Sequence, residues 1–246
     1  MSLKGVSAVG GMILFAGGVA LGLTLSGAMV WAEIEAILYD QRSAESSLKT
    51  LRCPLMLAEG EPGTITAAFT NSTDVLITAS VSAEFSHVGG EIARNEFIPL
   101  APGETQERQW DVGAGELIFN RLILVNVLAS YQHKLPTQGR TCGIVVFNAP
   151  GLSGIQTFAS VFGLSALSVV AGVGLWLLGN RPLAGLIRNV SQAGGALGVF
   201  VIAAMLTTIP RWWGLTGFFA VGSLLIVGVI VTDFILFPSA ASYGEE

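Results

Sequence analysis

Charge is scarce in this chain. Only 12% of its 246 residues are Asp, Glu, Lys or Arg, while 52% are hydrophobic. Soluble domains carry about 25% charged residues. The shortage is uneven. Gly5–Ala32 holds no charged side chain, and beyond Pro150 the one acid within an apolar run is Asp233. A chain that is water-soluble throughout is excluded, and a membrane protein is expected.

Histidine and cysteine are equally rare, with two of each: His87, His133, Cys53 and Cys142. No histidine lies in an apolar run, which excludes a membrane haem held by two histidines of this chain. Neither Cys-x-x-Cys nor Cys-x-x-Cys-His occurs. Cys142 is followed by Gly143, Ile144 and Val145 rather than by His or Met, which argues against blue copper. Both histidines read as surface residues. There is no phosphate-binding glycine loop, no His-Glu-x-x-His helix and no Gly-x-Ser-x-Gly elbow. No catalytic, metal-binding or cofactor-binding residue is therefore expected. Residues 32–150 have a net charge of −6 and the remainder +1. Nucleic acid needs a basic footprint and is not an expected partner.

What is present is four long apolar runs around one polar stretch. A helix of about 20 residues crosses a hydrocarbon core of ~30 Å. Four transmembrane helices are expected at 5–32, 155–178, 190–209 and 214–237. Residues 33–50 form a stalk that continues the first helix, with Ile34, Ile37 and Leu38 on one face, and residues 238–246 form a cytoplasmic tail. A signal peptide is the rival reading of the first run, because Val30-Trp31-Ala32 resembles a cleavage site, but the apolar region exceeds the usual 7–15 residues. Gly18, Gly22 and Ser26 are spaced four apart, giving a small face on which another helix can pack. The alternative is that they reflect the general glycine content of membrane helices.

Residues 51–148 alternate and turn. Leu51–Leu57 and Thr64–Thr70 read as strands. Val75, Ile77, Ala79, Val81 and Ala83 share one face of a third. His87-Val88-Gly89-Gly90 reads as a hairpin tip, since glycine supplies positive φ. Ala101-Pro102-Gly103-Glu104 is a further turn, Gln106–Trp110 a strand, Leu117–Tyr131 a long strand, and Gly143–Asn148 the last. About seven short strands with turns every 8–12 residues indicate a β-sandwich. Trp110 belongs to its core or, alternatively, forms a ligand platform. Asn71-Ser72-Thr73 fits a glycan acceptor on an exposed turn. The turn Leu100–Thr105 followed by a strand carrying Trp110 resembles the extracytoplasmic immunoglobulin-like modules of bacterial surface proteins. That resemblance covers residues 51–148 and implies fold, not activity.

The two cysteines bracket this domain, on its first and last strands, and a disulfide between Cys53 and Cys142 is expected. It closes a loop of about 90 residues, worth on the order of 4 kcal/mol in the chain-entropy model, and implies an oxidising compartment. Lys4, Arg181 and Arg188 then mark the cytoplasmic side of a plasma membrane, with both termini inside and the β-domain outside. Arg211 dissents. Trp31, Trp212 and Trp213 fall at the outer interface and Trp176 at the inner one. Asp233 is read as an inner-interface acid paired with Arg181 or Arg188, or alternatively as a functional intramembrane carboxylate.

The fold class expected is thus a membrane protein of four transmembrane α-helices, with an all-β, immunoglobulin-like sandwich inserted between the first and second. The function expected is that of a non-catalytic accessory subunit, whose partners are lipid and other membrane subunits. The alternatives are a stand-alone membrane-anchored binding protein or receptor and, third, a transporter or membrane enzyme.

Overall fold

The computed structural model describes residues 3–39, 44–88, 90–131, 135–148, 151–183 and 185–232. His133, Asp233 and the tail 238–246 lie outside the described residues. The order is one helix, a β region, then three helices. By contacts the chain forms two bodies. Met1–Val30 and Phe158–Glu246 make a helical unit, and Trp31–Thr157 make a β unit.

The helical unit draws on α1 (Leu3–Tyr39), α2 (Gly154–Gly179), α3 (Gly185–Thr208) and α4 (Trp213–Val229). All four are long and apolar enough to cross a membrane. Where lipid competes for apolar surface, helices associate through close packing at small residues. α1 and α2 do this. A Cβ on Gly11 would sit 2.5 Å from the Trp176 nitrogen, one on Gly18 would sit 2.8 Å from that of Val169, and one on Gly172 would sit 2.5 Å from that of Phe15. The Ser165 hydroxyl donates to the Gly18 carbonyl at 2.7 Å. Gly22 abuts Val201 and Met205 of α3, and Ser26 is fully buried. α3 meets α4 through the Phe200, Phe218 and Phe219 rings and a Thr216–Thr207 hydroxyl bond of 2.9 Å.

In the β unit, β1 (Ser46–Ser47), β2 (Met56–Ala58), β4 (Ile77–His87), β5 (Gly90–Leu100), β7 (Leu122–Tyr131) and β8 (Gln138–Phe147) form one sheet. Its order is β1-β8-β7-β4-β5, with β2 also on β8. β3 (Gly63–Thr70) and β6 (Thr105–Val112) form a two-stranded antiparallel second sheet. The inward residues of both, among them Ile65, Phe69, Trp110, Val81, Phe85, Val125 and Ile144, make one core. Trp110 is a core residue, 3% exposed, and its indole N–H donates to Glu96 at 3.3 Å.

Three strand expectations change. Leu51–Leu57 is not a single strand. The chain pairs with β8 at Ser46–Ser47, leaves to bridge the other sheet at Arg52↔Thr66, and returns at Met56–Ala58. Cys53 therefore lies between strands rather than on the first. The run from Leu117 enters β7 only at Leu122, because Phe119 and Asn120 turn the chain with φ of 51° and 54°. Val75 precedes β4 and is exposed.

Asn71 is the largest correction. Far from standing on an exposed turn, it is 0% exposed. Its amide donates to the carbonyls of Val75 (2.7 Å), Leu100 (2.9 Å) and Ala101 (3.1 Å). Its Oδ1 accepts from the Thr73 N–H and hydroxyl. No hydrogen is left for a glycan, so Asn71 clamps the β3–β4 connection to the β5–β6 turn. Replacing it with Asp removes the donors and buries a charge. We expect Asn71→Asp to cost at least about 2 kcal/mol, measured by urea unfolding. The folded wild-type protein should show no mobility change on glycosidase treatment.

Candidate functional site

β8 carries the features most unlike an ordinary sheet edge. Its odd-numbered residues turn their backbone groups away from β7. The Gly139 carbonyl accepts the Leu48 N–H at 3.1 Å, and the Phe147 carbonyl accepts that of Glu59 at 3.0 Å. Between β1 and β2 lies a gap, and a buried N–H there must find a partner. Glu33, from the part of α1 that belongs to the β unit, supplies it. The Glu33 carboxylate accepts the Gly143 N–H at 3.2 Å. The approach requires glycine, since a Cβ on Gly143 would meet the Ala32 carbonyl oxygen at 2.0 Å. Ala32 and Ala36 are fully buried, while Ile34, Ile37 and Leu38 are exposed. The small side chains, not the large ones, mark the packed face of the expected stalk.

Beside this contact runs a polar row on the sheet face opposite the core. Glu84, Asn126 and Thr141 are register neighbours across β4, β7 and β8. All three are buried. From the core side, Cys142 bonds to Cys53, 89 positions away in sequence. The disulfide expected from the sequence is present, and it pins the segment that crosses between the sheets.

The start of α2 is fastened separately. The Glu61 carboxylate accepts the N–H groups of Ala58 and Gly154, each at 2.7 Å. A carboxylate at a helix N-terminus meets both orphan donors and the positive end of the helix dipole. A Cβ on Gly154 would meet the Met56 carbonyl oxygen at 2.1 Å. The Asn148 amide donates to Glu59 at 2.6 Å. The cavity between this turn and β7 is about 60 Å³, too small for a drug-sized ligand.

At the same end of the unit are two exposed apolar tips. Phe119 is 77% and Val88 74% exposed. Phe119 opens a turn that the Arg121 N–H closes onto the Ile118 carbonyl at 3.1 Å. Two left-handed residues in succession suit Asn-Gly. A bulky residue there costs about 1–2 kcal/mol. The His87 Nδ1–H donates to the Gly115 carbonyl, 2.6 Å away, on the surface, and the Ser86 hydroxyl donates to the Glu116 carbonyl at 2.7 Å. These bonds tie the β4 tip to the loop before Phe119. Elsewhere, the Ala101 N–H and then the Gln106 amide hold the Glu104 carboxyl below its usual range. Burial raises the Tyr131 phenol. Neither group lies at this end.

In the helical unit, the Trp176 indole donates to Ser191 at 2.9 Å. Leu177, Leu183, Arg188, Ser191 and Gln192 line an open groove of about 400 Å³. Arg181 and Arg188 are exposed, and their expected partner Asp233 is outside the described residues. Trp31 and Trp212 are exposed, and the Trp213 ring lies 5.8 Å from the Arg211 guanidinium. Among the described residues no group of three metal-ligating side chains converges.

No family model and no curated protein matches the chain. Among solved structures, it is similar to a Paenibacillus cycloisomaltooligosaccharide glucanotransferase, with 18% identity over 44% of this chain and 15% of that one, at a TM-score of 0.34. It is similar also to the CARDB domain of a Pyrococcus furiosus protein, with 10% identity over 40% and 90%, at 0.32, and to a Bacteroides uniformis β-glucuronidase, with 14% over 39% and 12%, at 0.31. The chain thus spans about a sixth or less of either enzyme. At such scores the fold rests on this chain's own strand order. The β8 contact can be tested directly. Gly143→Ala forces Ala32 away from the sheet and should cost about 1–3 kcal/mol, whereas Gly113→Ala, where a Cβ meets nothing within 4 Å, should be far milder in the same thermal melts.

Proposed function

We propose that this protein is a non-catalytic accessory subunit of a larger membrane assembly, with an immunoglobulin-like β unit that braces partners outside the cytoplasm. The observation that supports it best is the double fastening of the β unit's own helical ends. α1 is fixed at Gly143 by close approach and a buried carboxylate, and α2 is fixed at Met56 and Glu61. A module mounted through two ends is suited to holding a position, where a receptor on a flexible stalk would need freedom. The disulfide supports an oxidising, extracytoplasmic setting for this unit, and the four apolar helices support a membrane location.

A second reading, a binding protein, draws on one feature. β5 is an outer strand of the larger sheet and presents an exposed Phe97. An extended peptide can add to such an edge.

One experiment separates these readings, and another tests the orientation that both assume. Native mass spectrometry after gentle extraction should show the chain with other subunits in fixed ratio, and a monomer or homo-oligomer alone would overturn the accessory role. For the orientation, alkaline phosphatase fused after Ser72 should be active and fused after Pro238 inactive; the reverse pattern would invert the topology.

A further inference from the structure

β5 is an outer strand of the larger sheet, and among the described residues no strand pairs with its other edge. Its register with β4 runs unbroken from Ile77↔Leu100 to His87↔Gly90. In an antiparallel ladder, opposed residues alternate between pairs that exchange hydrogen bonds and pairs that do not. Pro99 has no N–H and cannot exchange both bonds with Thr78. Its carbonyl instead accepts the Gln106 amide, on β6, at 3.0 Å. By the alternation, Phe97, Asn95 and Ala93 also turn their backbone groups to the open edge. All three are exposed, Phe97 to 75%.

We propose that this edge pairs with the same edge of a second copy of the chain, antiparallel and centred on Asn95. Side chains decide the register of such a pairing. Centred on Asn95, Arg94 lies opposite the partner's Glu96, and Glu96 opposite the partner's Arg94. Phe97 lies opposite the partner's Ala93. A slide of two residues one way opposes Arg94 to the partner's Arg94, and the other way Glu96 to the partner's Glu96. A slide of four residues either brings Pro99 opposite the partner's Asn95 or leaves Arg94 and Glu96 opposite Ile92 and Gly90. One register alone is complementary, and it is the symmetric one. A foreign peptide has no need of that symmetry, so the edge is assigned to a second copy. Existing ion pairs extend the match. Arg94 holds Glu116 at 3.3 Å, and Glu96 holds Arg108 at 3.2 Å. The new pair joins them into a row of alternating sign. The Arg94 and Glu96 side chains keep 38% and 41% exposure, which leaves each room for a second partner. The contact is isologous and closes on itself. It is independent of the accessory reading, which concerns what else accompanies the chain.

The test uses the full chain in the membranes of the cells that make it, with Asn95→Cys or Phe97→Cys oxidised before extraction. The native cysteines are bonded to each other, so each variant offers one free thiol. In the proposed register the two Cα atoms at 95 are about 5.5 Å apart, within disulfide reach. Those at 97 are offset by four residues, roughly 13 Å, and out of reach. Asn95→Cys should give a covalent dimer and Phe97→Cys none. In the Asn95→Cys background, Arg94→Glu and Glu96→Arg should each lose the cross-link when expressed alone. Co-expressed, the two reversals face each other and should regain it as a mixed dimer, which also shows that both variants fold. A cross-link at 97, or at neither position, would overturn the inference. So would joining of the thiol at 95 to a different protein, which would mean that a foreign strand holds the edge.

Discussion

A strand buried on both faces must satisfy its backbone on both edges, and β8 is where this chain meets that demand. β7 takes one edge along its length. No single strand takes the other. Two short parallel pieces and a glutamate from α1 divide it among them. A free N–H in such a place costs about 1–3 kcal/mol, so the choice of partner is not incidental. Because the carboxylate must come within 3.2 Å of the strand, the helix must come too. That requires glycine at position 143 and alanine at 32 and 36. One unmet hydrogen bond thus accounts for the packing of a whole helical segment.

The same economy governs the edge segment 44–58. Its apolar residues cannot be a continuous strand, since the core between the sheets also needs covering. The segment crosses at Arg52 and is held by Cys53 before it returns. Sequence periodicity shows which residues avoid water, and Leu51, Met56 and Leu57 do avoid it. It does not show which of two sheets receives the backbone.

Much else was legible. Uncharged runs predict helices, and four long helices are present. The alternation from Ile77 to Ala83 has its predicted face inward, and His87 pairs with Gly90 across the expected hairpin. One misreading has a plain cause. Asn71-Ser72-Thr73 looks like an exposed turn, which follows from side-chain type alone. The real determinant is relational: how many carbonyls surround one amide. The Phe119 turn was missed for a related reason. It lacks the glycine that announces such turns, and only the backbone angles disclose it.

The disulfide has a mechanical consequence. Cys53 follows α1 by only a short segment, and Cys142 precedes α2 by another. A pull applied between the two helices travels through these short segments and the sulfur–sulfur link. Strands β2 to β7 lie on a side branch of that covalent route. They can be strained, cut in a loop or locally opened without the helices losing their covalent tether, so the load path and the folded body are separate parts of one chain.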